Sequence, residues 1–284
     1  MDYAEFAPVA ELAPFVRCVW TFHAQEADGA VQRIVPDGRP ELVIHCAEPY
    51  AELDGQGNEV AQPYALFAGQ LTRPLRLKAQ GHAAVIGVRF HPAGARTFLG
   101  QSLRVATDQR IPLVTLFPGS AVKMLREVRP LGMGLRIQRV QQFVMERISA
   151  CPDTRDTLVE AAVARLEATA GGADIAEIAA DAGIGRRQLE RRFADSVGVG
   201  PALLASILRF RRVFDLIEHD ASRPWTDAAL AAGFYDQSHF NREFRRFVGC
   251  TPTAFAASAT ALAAALARPQ GDVANVQAKA KAAS

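Results

Sequence analysis

Apolar patterns in the first 110 residues predict short β-strands. Runs rich in Val, Ile, Trp and Phe, or alternating between Leu and polar residues, cover residues 15–23, 41–46, 71–78 and 84–90. Pro36-Asp37-Gly38 is a turn signal between two of these runs. Because short strands at this spacing are typical of small barrels and sandwiches, the pattern predicts a β-rich, barrel- or cupin-like N-terminal domain.

Helical periodicity replaces this pattern further along the chain. It predicts helices at residues 93–99, 119–129, 135–149 and 153–169, and continuous helical structure from residue 174 to about 257. Gly171-Gly172 interrupts the pattern and predicts a domain boundary. The expected fold class is therefore α+β with two domains. The expected divisions are a β-rich domain followed by helices at 1–170, an all-α domain at 172–258, and an Ala-rich, disordered tail at 259–284.

An internal repeat marks the C-terminal part. Five positions recur at a spacing of 51 residues: Leu189, Arg191, Phe193, Gly198 and Pro201 return as Phe240, Arg242, Phe244, Gly249 and Pro252. Gly183 recurs at a spacing of 50 residues as Gly233, so the second copy has one extra residue after this glycine. The repeat predicts two copies of one structural unit.

Each copy has the pattern of a helix-turn-helix. In the first, Asp174 is a candidate N-cap, Gly183 supplies the tight turn, and a second helix is expected from Arg186 to Asp195 with Leu189 and Phe193 facing inward. The second copy repeats this arrangement. There Trp225 opens a helix, Gly233 turns the chain, Asp236 caps the next helix, and Phe240 and Phe244 face the core. The sequence thus predicts a double helix-turn-helix.

The outward faces of the two second helices carry side chains that suit DNA. The candidates are Arg186, Arg187, Glu190 and Arg191 in the first unit, and Gln237, Ser238, Asn241, Arg242 and Arg245 in the second. Arg bonds both acceptors of guanine, Gln and Asn pair with adenine, and Arg is the usual phosphate contact. Glu190 either selects cytosine or pairs with a neighbouring Arg. A single arginine-rich helix is often only solvated, but two in register favour DNA binding.

A long helix is expected between the copies, at residues 201–218. Its apolar face is broad, and about 17 residues at 1.5 Å each give about 25 Å. A rod of this length can hold two recognition helices in successive major grooves, which lie about 34 Å apart. Arg209, Arg211 and Arg212 on this helix either touch the DNA backbone or remain solvated, and the sequence leaves both alternatives open.

The C-terminal part resembles the AraC/XylS family of bacterial regulators. Residues 231–252 contain Gly-Phe, then Ser-His-Phe-Asn-Arg-Glu-Phe, then Gly-Cys-Thr-Pro, and residues 187–193 match the corresponding part of the first unit. The resemblance covers about 95 residues and implies sequence-specific promoter binding by two helix-turn-helix units joined by a long helix. His239 stands where Tyr is usual, and Phe255-Ala256 where Tyr-Arg is usual, which removes one phosphate contact.

The N-terminal part resembles an uncharacterised β-rich domain that is often fused to this DNA-binding module. The matching stretches are residues 33–45, 69–77 and 86–94. Family members with such an extension usually sense a small molecule and dimerise through it. The candidate ligand residues are Arg33, Arg39, Arg73 and Arg89, which predict an anionic effector, with surface salt bridges as the alternative.

Other features narrow the classes of function. The four cysteines lack metal-ligand or redox spacing, and the histidines lack the close spacing of a metal site. The sequence shows no catalytic motif, and no metal site, cofactor, signal peptide or membrane span is expected. A cytoplasmic location is expected. The formal net charge of +2 does not by itself indicate a nucleic-acid binder.

The expected partners follow from these features. They are double-stranded promoter DNA, a small-molecule effector, RNA polymerase if the protein activates, and a second copy of the chain. The helices at residues 119–169 either pair two copies or pack on their own domain, and the sequence leaves both alternatives open. The leading hypothesis is an effector-responsive transcription regulator that binds DNA sequence-specifically. The alternatives are a DNA binder whose N-terminal domain only dimerises, and a β-domain enzyme fused to a DNA-binding module.

Overall fold

The computed structural model describes residues 2–25, 29–220 and 222–257. Its N-terminal part contains two antiparallel sheets, with six strands in the order β1-β2-β9-β4-β7-β10 and four in the order β3-β8-β5-β6. The strands are β1 (Asp2–Phe6), β2 (Val16–Gln25), β3 (Val31–Ile34), β4 (Glu41–His45), β5 (Ala51–Leu53), β6 (Glu59–Ala61), β7 (Ala65–Ala68), β8 (Leu75–Lys78), β9 (His82–Phe90) and β10 (Arg110–Pro112).

Three of the four predicted strands are confirmed to within a few residues at each end. The exception is the strand predicted at 71–78, which begins only at Leu75. The preceding residues form a turn, because the Thr72 backbone N–H and hydroxyl both donate to the Asp108 carboxylate. Pro74 in addition has no N–H to give to a sheet.

Close packing inside the larger sheet depends on one glycine. At Gly87, in the middle of β9, a Cβ atom would lie 1.9 Å from the Trp20 ring of the neighbouring β2. Glycine therefore allows the indole to lie across the sheet. On the same side Trp20, Phe22, Tyr50 and Val85 form a small cluster between the two sheets.

Helices cover the other face of the larger sheet and continue to the C-terminal part. They are α1 (Ala95–Leu99), α2 (Leu113–Leu116), α3 (Pro118–Val128), α4 (Met133–Ser149), α5 (Thr157–Ala168), α6 (Ile175–Asp181), α7 (Arg186–Ser196), α8 (Pro201–His219), α9 (Trp225–Ala231), α10 (Gln237–Val248) and α11 (Pro252–Ala257). Phe67 and Phe90 of the sheet pack against Phe98, Phe117 and Phe143 of the helical layer. The predicted fold class, a β-rich domain followed by an all-α double helix-turn-helix, is confirmed.

The last helix before the predicted boundary packs with the C-terminal part. Val159 and Leu166 of α5 share a hydrophobic cluster with Leu189 and Phe193 of α7. Gly171 follows α5 with φ +80°, and a Cβ there would lie 2.1 Å from the Ala205 carbonyl oxygen on α8. The absence of a side chain at Gly171 therefore allows the chain after α5 to pack closely against α8. The division at 171/172 stays a prediction, and the predicted disordered tail lies outside the described residues.

Among the residues that the structure describes, no single helix combines the length and the apolar character that a membrane crossing requires. By length and composition α7 and α8 would suffice together, but they meet at a bend of 66°.

Candidate nucleic-acid interface

The first helix-turn-helix unit consists of α6, a turn and α7. The Asp174 carboxylate accepts a hydrogen bond from the Ala176 N–H at 2.7 Å, so the predicted N-cap is confirmed. Gly183 has φ +65°, a left-handed conformation that favours glycine in the tight turn. Leu189 and Phe193 are fully buried and fix α7 against its neighbours. The opposite face of α7 is therefore left to solvent.

That exposed face carries all four candidates of the first unit, Arg186, Arg187, Glu190 and Arg191. Arg186 Nε lies 3.2 Å from Glu190 Oε1, so Glu190 pairs with a neighbouring Arg, one of the two alternatives left open. Arg187 and Arg191 make no ion pair within the described residues and share one side of the helix. Two guanidinium groups are thus available at the surface of α7.

The second unit repeats this construction with α9 and α10. Asp236 caps α10 by accepting a hydrogen bond from the His239 N–H at 2.7 Å, and Phe240, Phe244 and Phe247 are buried beneath the helix. The candidates on the other face are Gln237, Ser238, Arg242 and Arg245, which are exposed, and Asn241, which is half-buried. The extra residue of the second turn is Tyr235, which is 89% exposed.

The long helix α8 holds the two units together. It begins at Pro201 as predicted and has 19 residues, which corresponds to about 28 Å. Leu204 belongs to the core of the first unit, whereas Phe210 and Phe214 belong to the core of the second. Both recognition helices therefore rest on one continuous rod.

The three arginines of α8 have different surroundings. Arg209 donates to the Gly171 carbonyl oxygen at 2.7 Å, and burial lowers its pKa. Arg212 is exposed. Arg211 lines a cavity in the N-terminal domain. Two of the three are thus turned towards the protein, an outcome that neither of the alternatives drawn from the sequence included.

This cavity lies between the two sheets and has a volume of about 130 Å³. Its apolar lining includes Trp20, Phe22, Ile34, Val43, Leu66, Leu75, Leu77 and Val85. Its polar lining includes Gln32, Asp37, Arg39, Glu41, His45, Tyr50, Gln62, Arg89, Arg110 and, from α8, Arg211. The cavity is mainly apolar and has charged groups from both parts of the chain.

Only two of the four predicted ligand residues line this cavity, Arg39 and Arg89. Arg33 instead donates to the Cys250 sulfur at 3.2 Å, across the contact between the N-terminal part and the second unit. Arg73 is exposed in the turn before β8. The sequence predicted a site that involves some of these four, and that site stays a prediction. The late start of β8 at Leu75 and the contact with the C-terminal part place Arg73 and Arg33 elsewhere.

The two cavity arginines differ in how their charge is balanced. Arg89 is buried and ion-paired with Glu41 at 2.8 Å and Glu5 at 3.0 Å. Arg39, whose side chain is 8% exposed, pairs with Glu167 of α5 at 2.8 Å. Its Nε and Nη1 are buried with no hydrogen-bond partner among the described residues, and burial lowers its pKa. Arg39 therefore has unused donors in a buried position.

Sequence reasoning did not assign most of the polar lining residues of the cavity to a site, among them Arg211, Arg110 and His45. Arg211 reaches the cavity from α8, Arg110 forms an ion pair with Glu52 at 2.7 Å, and His45 Nε2 donates to Gln62 Oε1 at 3.2 Å. Burial lowers the pKa of His45 to about 4. No local signal in the sequence marks these residues, because tertiary packing alone brings them together.

Within the described residues, no group of three or more His, Cys, Asp or Glu side chains is arranged to hold a metal ion. The four cysteines are free thiols. Burial raises the pKa of Cys18 to about 12, so this thiol is protonated in the folded protein.

Comparisons with known proteins agree with the two-part organisation. Residues 4–112 match a domain of unknown function, DUF6597, and residues 159–258 match a helix-turn-helix domain. A curated relative from Mycobacterium tuberculosis, a probable bifunctional transcriptional activator/DNA repair enzyme AlkA, is 40% identical over 87 residues. The match covers 31% of this chain and only 17% of that relative.

Solved structures with a similar arrangement include ToxT from Vibrio cholerae. One is 12% identical, with a TM-score of 0.43, and the match covers 84% of this chain and 97% of that one. A ToxT structure with bound unsaturated fatty acid is 11% identical, with a TM-score of 0.44 and coverages of 83% and 92%.

The AraC-like transcriptional activator CuxR is 15% identical, with a TM-score of 0.28 and coverages of 78% and 95%. The assignment of the C-terminal part rests on the repeated units on α8 and on the domain match over residues 159–258. The chain carries an AraC-type helix-turn-helix DNA-binding domain behind an N-terminal DUF6597 domain.

Proposed function

We propose that this protein is a sequence-specific transcription regulator that responds to a small anionic molecule. The observation that carries the proposal is the pair of recognition helices, α7 and α10, whose polar faces are exposed while α8 holds both. A rod of about 28 Å suits recognition helices in successive major grooves about 34 Å apart. Its partner would be double-stranded promoter DNA in the cytoplasm, with RNA polymerase as a further partner if it activates.

Within each recognition helix we assign two kinds of contact. Arg187 and Gln237 lie in the first turn of their helices, where a recognition helix meets base edges. Arg can bond guanine and Gln can bond adenine. Arg191 and Arg242 occupy corresponding positions of the repeat and would contact phosphates. The remaining candidates surround these four and complete the DNA-facing surface.

The experiment is to select DNA with the purified full-length chain and then compare the selected duplex with a scrambled one. Arg187→Ala or Gln237→Ala should cost about 1–3 kcal/mol on the selected duplex and relax the preference at one base pair. Arg191→Ala or Arg242→Ala should weaken binding to both duplexes evenly. Equal losses on both duplexes for the first two variants would contradict the base-reading assignment.

The effector site is assigned to the cavity between the sheets. Its lining is mainly apolar and includes Arg39, whose buried Nε and Nη1 have no hydrogen-bond partner among the described residues. A buried cation with unused donors is costly, and an anionic group would satisfy it. We therefore propose a ligand with a compact apolar body and one carboxylate or similar anion. The proposed role of this domain is binding rather than catalysis.

A screen by thermal unfolding tests this assignment. An apolar monocarboxylate that binds should stabilise the full-length chain by about 2.7 kcal/mol at a concentration one hundred times its Kd. Arg39→Gln should remove this stabilisation, whereas Arg73→Gln, a change at an exposed arginine outside the cavity, should preserve it. Stabilisation that survives Arg39→Gln unchanged would place the ligand elsewhere.

A further inference from the structure

A second polar concavity lies beside the first recognition helix. This arginine groove has a volume of about 580 Å³ and is lined by Arg96, Thr154, Arg155, Asp156, Gln188, Arg191, Arg192 and Asp195. Gln188 and Arg191 belong to α7, while Arg96 lies on α1 and Arg155 lies just before α5. The groove therefore joins the recognition helix to residues that precede the matched helix-turn-helix domain.

The charge of the arginine groove is positive. Arg192 and Asp156 neutralise each other in a two-point ion pair at 2.7 and 2.8 Å. Asp195 accepts a hydrogen bond from Ser102 at 2.9 Å and lies 3.5 Å from Arg104. Ser102 and Arg104 do not line the groove. Three further cations line the groove. Arg96 lies near Asp156 and donates to the Ser196 hydroxyl at 2.8 Å, Arg155 pairs with Glu160 outside the lining, and Arg191 makes no ion pair within the described residues. An anion is the complementary occupant.

Arg155 is oriented by an ion pair and by an aromatic ring. Its Nε and Nη2 donate to the Glu160 carboxylate at 2.9 and 2.6 Å, and its guanidinium lies 5.2 Å from the centre of the Phe15 ring. Within the described residues its Nη1 makes no hydrogen bond, and the residue remains exposed. One face of the guanidinium is thus fixed by the protein, and the remaining donors are open to a ligand.

We propose that the arginine groove receives the DNA backbone where it leaves the first unit. The inference rests on the proposed DNA-binding function. Since Arg191 is assigned to a phosphate, the strand that contacts it continues past Arg155 and Arg96 on the same surface. The ligand class is a backbone phosphodiester, contacted without regard to base sequence. The DNA-binding surface then extends beyond residues 159–258 into the N-terminal part of the chain.

The test measures affinity against salt concentration for the full-length chain on a selected and a scrambled duplex. Arg155→Gln should weaken binding to both duplexes by about 3- to 10-fold near 0.1 M salt and flatten the log–log salt slope by about 0.9, the value for one lost phosphate contact. Arg155→Lys should retain most of the slope because it keeps the charge.

Two control variants separate this role from a structural one. Glu160→Gln breaks the same ion pair but keeps the cation, so its affinity should equal or exceed that of the unaltered chain. Arg126→Gln removes an exposed arginine that lies on α3 away from the arginine groove, and should change nothing.

A folded Arg155→Gln protein with the salt slope of the unaltered chain would overturn the proposal while leaving the two recognition helices intact. Equal weakening by Glu160→Gln would also overturn it, since the ion pair itself would then matter. A loss of affinity confined to the selected duplex would also contradict the proposal, because it would indicate that Arg155 contacts a base and not the backbone. An unaltered chain that binds neither duplex would instead refute the proposed function.

Discussion

At the scale of single residues, surroundings rather than residue type separate the roles of the arginines. Arg187 is exposed on α7, whereas Arg192, five positions later, is held by Asp156. On α8, Arg209 bonds a backbone carbonyl and Arg211 lines the cavity. The partners of each guanidinium therefore determine whether it can contact DNA, an effector or the protein itself.

The clearest prediction at this scale concerns His45 and pH. Burial lowers its folded pKa to about 4 from an ordinary 6.5, so the unfolded chain binds a proton first as the pH falls. The stability that neutral His45 contributes is complete above about pH 6.5 and is lost towards pH 4. At about 1.36 kcal/mol per pKa unit, this loss is about 3 kcal/mol.

The measurement is the free energy of unfolding of the unaltered chain and of His45→Gln between pH 7.5 and 4.5. The variant should show a shallower loss of stability over this range. His91, whose pKa burial also lowers, titrates in both proteins and cancels in the difference. Parallel curves for the two proteins would show that His45 keeps an ordinary pKa.

At the scale of elements, each recognition helix is positioned by a stripe of buried side chains and by the turn or the capping residue that precedes its first turn. α7 is held by Leu189 and Phe193, and α10 by Phe240 and Phe244. The polar faces make few contacts of their own, so the buried stripes supply the energy that places the DNA-facing side chains. Loss of one large buried side chain should therefore affect DNA binding indirectly.

We expect Leu189→Ala to destabilise the chain by about 2–5 kcal/mol, because it leaves a cavity under α7. DNA binding should fall with the folded fraction of the first unit. Leu230→Ala is a matched control on α9, where the side chain is 59% exposed, and it should change stability by less than about 0.5 kcal/mol. Chemical denaturation, monitored by circular dichroism, measures the free energy of unfolding of both variants. Similar losses of stability in the two variants would contradict the assigned packing.

At the scale of the whole molecule, the N-terminal domain contacts both helix-turn-helix units. Thr107 donates to the Gly198 carbonyl oxygen at 2.6 Å behind α7, and Arg33 reaches Cys250 behind α10. Val35, which follows β3, is buried in the same hydrophobic cluster as Phe210 and Phe247. A change in the β-rich domain can therefore reach the DNA-binding units through direct packing.

This arrangement predicts that Val35→Ala weakens the C-terminal domain although the change lies in the N-terminal one. Removing two buried carbons should cost about 2 kcal/mol, and amide hydrogens of α8 should exchange faster. Val31→Ala is the matched control, because Val31 is exposed on β3. Unchanged exchange in α8 for the Val35 variant would mean that the two domains are not energetically coupled through this contact.

Features of short range were largely predictable from the sequence. The starts of α7 and α8, the caps at Asp174 and Asp236 and the buried stripe of α10 all follow from local periodicity and capping chemistry. The predicted strand at 71–78 was too long because its first residues bond to Asp108, 36 residues away. Local patterns do not report such distant partners.

The sequence by itself determined the double helix-turn-helix, since the repeat, the turn glycines and the helix caps act over a few residues each. Only the tertiary structure decided which arginines share a site. It brought Arg211 of α8 to Arg39 and Arg89, directed Arg33 to Cys250, and placed Arg155 beside Arg191. The physical reason is that secondary structure follows from neighbours along the chain, whereas burial and charge pairing follow from neighbours in space.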